Sequence, residues 1–324
     1  MEWCFVKIIT IKDVMTKEQI CKIQSVLGFE QTGVLDNNTK AGIKNFQLKM
    51  GYSASGELDA KTYEAFAKRY DLSTVKIDSE DIDASTDIEE TDAAFEVHEF
   101  MLSKDEYVTE YGRIKGRKQI FIHHTSGWND PYATIKSWEN DTRGKIGTHY
   151  VIGGINVKTN DSSYDGTVVK CIPDDYFGWH LGSTSKDGIN FEMHKTSIGI
   201  EICNFGYLTQ KNGKFYTYTG QVVADKYVED LGFKFRGYQY WHKYTDEQIE
   251  SLHRVLQMLN KKYSIDLSKG LKERLKTMTP EKAFELSSDA VSGKISGILS
   301  HTNVRKDKTD VSPQKKLVEM LKNL

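Results

Sequence analysis

The residues able to do chemistry lie far apart in this sequence. His123 and His124 close the apolar run Ile120-Phe121-Ile122, with Lys118 before it and Ser126-Gly127 beyond. Such a run reads as a strand buried on both faces. Side chains alternate across a strand, so the two imidazoles point opposite ways and only one can serve a given site. His301 ends a second apolar stretch, Ile295 to Ser300. The loop Thr302–Asp310 beyond it has no apolar period and offers two carboxylates, Asp307 and Asp310, and three cations, Arg305, Lys306 and Lys308. Glu201 sits between two isoleucines in the strand-like run Ser197–Asn204, and acids are seldom fully buried unless paired. By alternation Gly199, Glu201 and Cys203 share a face, where Gly199 is expected to leave room beside the acid for a substrate.

Two histidines and one carboxylate with an open fourth position form the ligand set of a catalytic metal. A water bound there would fall to a pKa of about 7 and become a nucleophile. A glutamate in a partly apolar wall can take and return its proton, and a cation such as Lys308 can steady the oxyanion. The bland alternative for either histidine is a structural ring bonded to a backbone carbonyl. Non-haem iron oxygenases use the same ligand set, but their close His-x-Asp pair is absent from the sequence.

These residues need a scaffold, and the composition supplies one. At 324 residues, 38% hydrophobic and 28% charged, the chain is long enough for two domains with a sizeable core. A net charge of −2 argues against nucleic acid and anionic membrane surfaces as partners. No apolar run approaches the roughly 18 residues of a membrane-spanning helix. The start, Met1-Glu-Trp-Cys-Phe-Val-Lys7, lacks the apolar stretch of a secretory signal, so synthesis in the cytoplasm is expected. Cys4, Cys21, Cys171 and Cys203 are widely spaced and read as free, packed thiols.

In chain order, residues 1–11 could form a short strand or arm. From Thr16 the pattern is helical, with Ile20, Ile23, Val26 and Leu27 on one face. Thr32-Gly-Val-Leu-Asp-Asn-Asn-Thr39 is then echoed by Ser55-Gly-Glu-Leu-Asp-Ala-Lys-Thr62, and in the same register Ile43 matches Phe66. Each copy has a Gly for a tight turn, a Leu to bury and an Asp to start the next helix. Residues 1–72 therefore read as a small three-helix bundle. Residues 73–97 are crowded with Asp and Glu and read as a solvated, flexible linker. Residues 98–324 alternate strands and helices: strands over 149–153, 167–172, 197–204 and 295–300 besides the first, and a helix over Tyr132–Trp138. Residues 205–244 are rich in aromatics without a clear period and read as a long loop or insertion, whose tyrosines and Trp241 build a satellite core rather than wall a groove. Thr245 caps a helix with Gln248 in the capping-box position, and Ser312-Pro313 starts the last one. The fold class is α/β, a central mixed sheet flanked by helices and preceded by the bundle.

Residues Ile20–Ala67, with two Gly-x-Leu-Asp-x-x-Thr turns and Phe46-Gln47, resemble the peptidoglycan-binding bundle. Residues from about 117 to 313 resemble the zinc-dependent N-acetylmuramoyl-L-alanine amidases of type 2, related to peptidoglycan recognition proteins. The resemblance is carried by Ile120-Phe-Ile-His-His-Thr125, Gly147-Thr-His-Tyr-Val-Ile152, Asp165-Gly-Thr-Val168, Trp179-His-Leu-Gly182, Ser197–Ile202 and His301 through Asp310. It implies Zn2+ on His123, His301 and Asp310, catalysis by Glu201 and Lys308, and a substrate cleft touching His149, Trp179 and His180. The chain departs from the pattern at Thr148, where members often carry Tyr, and in a closing loop one residue short, which leaves Asp307 a rival to Asp310. The implied activity is hydrolysis of the amide between N-acetylmuramic acid and L-alanine of the stem peptide in bacterial peptidoglycan. Without a signal, the implied setting is a phage endolysin acting at the cell wall. A non-catalytic receptor of the same fold would be expected to lack a ligand, and here all the candidates are present.

Overall fold

The computed structural model of the chain describes residues 17–29, 31–50, 55–56, 58, 60–70, 72, 95–103, 116–142, 145–173, 176–182 and 192–324. The arm expected over residues 1–11 and most of the acidic segment lie outside them. The chain divides into two compact units, Met1–Ala94 and Phe95–Leu324.

In the first unit, α1 (Lys17–Leu27), α2 (Asn37–Lys49) and α3 (Ala60–Tyr70) enclose Ile20, Ile23, Ile43, Phe46, Leu58 and Phe66. Asp36 starts α2 as expected, its Oδ1 accepting from Thr39 N at 2.7 Å. The repeat reaches further than its turns, because α1 and α2 each carry a buried glutamine serving the turn that follows. Gln24 Oε1 accepts from Gly33 N at 2.9 Å while its Nε2 donates to Thr39 Oγ1 at 3.1 Å. Gln47 does the same with Gly56 N at 2.9 Å and Thr62 Oγ1 at 3.1 Å. Gly33 and Gly56 have φ of 68° and 78°, a region costly for residues with a Cβ. An apolar residue in place of either glutamine would strand buried donors at about 1–3 kcal/mol each. Gln47 was visible in the sequence only as half of Phe-Gln, and Gln24 was missed.

The second unit is built on a six-stranded sheet in the order β1-β4-β3-β5-β2-β11, where β1 is Val97–Glu99, β2 Gln119–His124, β3 Tyr150–Ile152, β4 Val168–Lys170, β5 Ser197–Ile202 and β11 Gly297–Ser300. Only the β3–β4 pair is antiparallel, so the sheet is mixed as expected. β1 begins at Val97, inside the segment read as linker. Among the described residues seven helices follow in chain order: α4 (Pro131–Glu139), α5 (Glu192–Thr196), α6 (Asp246–Tyr263), α7 (Leu271–Thr277), α8 (Pro280–Ala283), α9 (Ser288–Val291) and α10 (Lys315–Asn323). On one face Ile120, Ile122, Ile198, Ile200 and Ile202 pack against Leu252 and Leu256 of α6 and Leu317 of α10. On the other, Phe121 and Leu299 meet Leu181 and Met193, and Val151 and Val169 meet Ile135 of α4. Helices on both faces explain why β2 and β5 are buried along almost their whole length.

α6 begins as expected, with a complete Thr245–Gln248 capping box. The last helix does not begin at Ser312-Pro313. Gln314 stays extended, because its buried side chain accepts from Tyr244 N at 2.9 Å and donates to His242 O at 2.8 Å. The larger correction concerns residues 205–244. They form a second, antiparallel sheet in the order β8-β7-β6-β10-β9: β6 is Tyr207–Lys211, β7 Lys214–Tyr216, β8 Val222–Val223, β9 Val228–Phe235 and β10 Tyr238–His242. β9 alternates, with Leu231, Phe233 and Phe235 more buried than the exposed Gly232 and Lys234 between them, whereas β6 and β10 show no such period. The sheet's tight turn Asn212-Gly213, with φ of 51° and 72°, is a strong hairpin signal that the reading passed over. Trp241 is fully buried in the main core and Tyr207 stacks on Tyr238 at 3.7 Å, so these aromatics do build core. No described helix is long and apolar enough to cross a membrane.

Candidate metal centre

β2 and β11 run parallel with Ser300 opposite Ile122, which brings His301, just past β11, beside His123. His301 opens a short turn that Asn303 holds shut, its Oδ1 accepting from Ser300 N at 3.0 Å. The loop returns when Thr302 N donates to Asp310 O at 3.0 Å, which carries Asp310 back to both rings. His123 Nδ1 lies 3.1 Å from His301 Nδ1 and 3.1 Å from Asp310 Oδ2, and His301 Nδ1 lies 2.9 Å from Asp310 Oδ2. The three residues are buried, at 2%, 5% and 8% exposed. Among the described residues they are the one group of three or more such donors able to hold a metal ion.

The donor set fits a metal. Metal–ligand bonds of 2.0–2.2 Å at tetrahedral angles separate ligand atoms by about 3.3 Å, close to the spacing of these three. Burial lowers His123 to about 4, against the opposing bond from Asp310, so the ring is neutral and offers a lone pair. Burial alone would raise Asp310, but His301 and His123 outweigh it and hold the carboxylate well below its usual range. Asp307 lies apart, exposed and held by Arg305 through two bonds of 2.8 Å that bring it down to about 2.

His124 points to the opposite face, as strand alternation requires. It is buried, with Nδ1 3.5 Å from Tyr244 Oη and its ring tilted against Trp241. Glu201 stands opposite His123 in the β2–β5 register and is half-buried. Its carboxyl is raised well above the usual range, first by burial and then by Asp310, with Lys308 acting against both. Lys308 is half-buried, and its charge bears on His123 and Glu201 alike.

The room expected beside Gly199 is already filled: a Cβ there would sit 2.9 Å from His180 Cγ and 2.9 Å from Thr148 Cγ2. His180 is 7% exposed, with Nδ1 3.0 Å from His123 Nε2 and Nε2 2.9 Å from Ser197 Oγ. His149 is buried too; its Nδ1 accepts from Gly199 N at 3.1 Å and its Nε2 lies 3.0 Å from Tyr176 O. Trp179 is half-buried, edge-on to Phe177 at 5.2 Å. Thr148 turns its hydroxyl to Tyr150 O at 3.1 Å. Cys21, Cys171 and Cys203 are free and buried; Cys4 lies outside the described residues.

Comparison with known proteins adds the family. The N-acetylmuramoyl-L-alanine amidase model matches residues 110–313, and a peptidoglycan binding domain model matches residues 30–66. Among solved structures the chain is similar to the N-acetylmuramoyl-L-alanine amidase LysC from Clostridium intestinale, at 15% identity and a TM-score of 0.36, over 69% of this chain and 94% of that one. It is also similar to PlyL, at 13% identity and a TM-score of 0.35, over 66% and 86%. A third is the amidase AmiD from E. coli, in complex with an anhydro-N-acetylmuramic acid peptide, at 16% identity and a TM-score of 0.29, over 52% and 54%. A search of curated proteins gave no match. With the amidase model spanning most of the chain, this protein belongs to the N-acetylmuramoyl-L-alanine amidase family and is an enzyme that hydrolyses peptidoglycan.

Proposed function

We propose that the enzyme cuts the amide between the lactyl group of N-acetylmuramic acid and the L-alanine of the stem peptide, with Zn2+ held by His123, His301 and Asp310. The observation that carries this is the convergence of the three donor atoms at 2.9–3.1 Å, with Glu201 in register beside His123. Zinc bound at such a site supplies Lewis acidity. Glu201, raised by burial, takes the proton of the attacking water and returns it to the departing alanine nitrogen. Lys308 places its positive charge where the carbonyl oxygen becomes negative. The C–N bond breaks as the new C–O bond forms, leaving a carboxylate on the lactyl ether and a free amine on alanine. The first unit acts as a wall-binding module and keeps the enzyme on an insoluble substrate; loss of these bonds throughout a wall would lyse the cell.

Mass spectrometry of products from purified wall tests the bond. Stem peptides with a free L-alanine amine are expected. New reducing sugar ends, or peptides cleaved between amino acids, would sink the assignment.

A further inference from the structure

The segment Trp179–Gly182 touches both histidines through their Nε2 atoms, on the side away from the converging donors. Both imidazoles present Nδ1 to the point where the donors converge, so both must carry their proton on Nε2 to offer lone pairs there. A neutral imidazole has one N–H, and which nitrogen holds it is set by the partner of the other.

At His301 the partner is a main-chain carbonyl: Nε2 lies 3.3 Å from Leu181 O. A carbonyl only accepts, so once a cation rather than a proton stands between Nδ1 and Asp310 Oδ2, His301 donates from Nε2. At His123 the same constraint arrives through a chain. Ser197 Oγ donates to Met193 O, again an acceptor only, and so turns a lone pair toward His180 Nε2 at 2.9 Å. Neutral His180 then donates from Nε2 and accepts on Nδ1, which lies 3.0 Å from His123 Nε2. His123 is left with its proton on Nε2 and a lone pair on Nδ1. The segment is itself held: Arg305 Nη1 donates to Gly182 O, and Gly182 has a φ of 58°.

We infer that His180 and Leu181 are positioning residues that fix the tautomer and ring orientation of both metal-ligating histidines, one through its side chain and the other through its carbonyl. This rests on the metal assignment above. Its consequence is that a residue that is not itself a metal ligand sets metal affinity, since outer partners of ligating histidines typically contribute 10–100-fold.

The test uses the full chain in three forms: wild type, His180→Leu and His180→Asn. Leucine removes the acceptor, whereas asparagine can return an oxygen near the position of Nδ1. Zinc affinity is measured by chelator competition, and the imidazole tautomers of the zinc-loaded proteins by 15N NMR. His180→Leu should bind zinc about 10–100-fold more weakly and show His123 no longer held as the Nε2–H form, while His301 keeps its tautomer. His180→Asn should recover most of the affinity and the His123 signal. Circular dichroism checks that each variant is folded, and Ser197→Ala, which breaks the chain one step further out, should shift the His180 and His123 tautomers even if His180→Leu unfolds. Wild-type affinity with an unchanged His123 tautomer in folded His180→Leu would overturn the inference, as would an unchanged tautomer in Ser197→Ala. Failure of the wild type to bind zinc would instead overturn the metal assignment.

Discussion

Glu201 and Asp310 are carboxylates within one field of charge, yet their surroundings drive them apart. Burial opposes the charge of both. At Asp310 the two imidazoles outweigh it, whereas at Glu201 the partial relief from Lys308 does not. A pair of acids tuned in opposite directions divides its labour, one holding charge and one exchanging a proton. Glu201→Gln should therefore keep bound zinc and lower turnover by about 10²–10⁴-fold, the usual contribution of a general base. Asp310→Asn should lose zinc, because an amide is a poorer ligand than a carboxylate. Zinc content measured beside turnover separates the two; zinc lost from Glu201→Gln and retained in Asp310→Asn would exchange the roles.

Between elements, the turn before β4 carries a second carboxylate pair. Asp165 is pushed up to about 7, chiefly by burial and further by Glu247, although Thr245 Oγ1 donates to it at 2.6 Å. The folded value lies above the ordinary 3.8, so the native state holds the proton longer than the unfolded one. Its contribution is intact below about pH 4 and is lost as pH rises toward 7. Asp165→Asn keeps the acceptor for Thr245 and removes the titration. Its melting temperature should gain on the wild type between pH 5 and pH 8, and a constant difference across that range would refute the account. The elements themselves were unequally legible. β2 could be read from the run Ile120-Phe121-Ile122, β5 from isoleucines alternating with Ser, Gly and Glu, β11 from Ile298-Leu299 before His301, and α6 because its cap and stripe agree. In the second sheet β9 carries a plain period-two pattern through Leu231, Phe233 and Phe235, but β6 and β10 around it do not alternate, so the segment as a whole shows no single period; β1 escaped because three residues at the edge of an acidic segment carry too little signal. The site shows the same division. His123, Glu201 and His301 stand out at strand ends or inside apolar strands, whereas Asp310 against Asp307 depends on a loop closing through Thr302. That His180 packs against Gly199 and His123 is invisible locally, because it depends on how distant segments meet.

For the whole molecule the question is why one chain carries two units, each with its own core and each containing one of the family matches. A substrate that is a solid mesh does not diffuse to the enzyme. A second binding unit turns each catalytic encounter into an intramolecular event, and avidity of this kind can exceed a single contact by about 10²–10⁴-fold without altering the chemistry. The gain disappears on a small substrate that occupies the catalytic unit alone. A chain beginning at Phe95 should therefore hydrolyse soluble muropeptides at the rate of the full chain. On purified insoluble wall it should sediment less and clear suspensions more slowly, with apparent affinity lower by about 10-fold or more. The isolated first unit, tested separately, should sediment with wall. If the shortened chain matches the full one on both substrates, the bundle is a structural accessory. If it fails on soluble muropeptides as well, the first unit contributes to the active fold itself, and tethering is not what it provides.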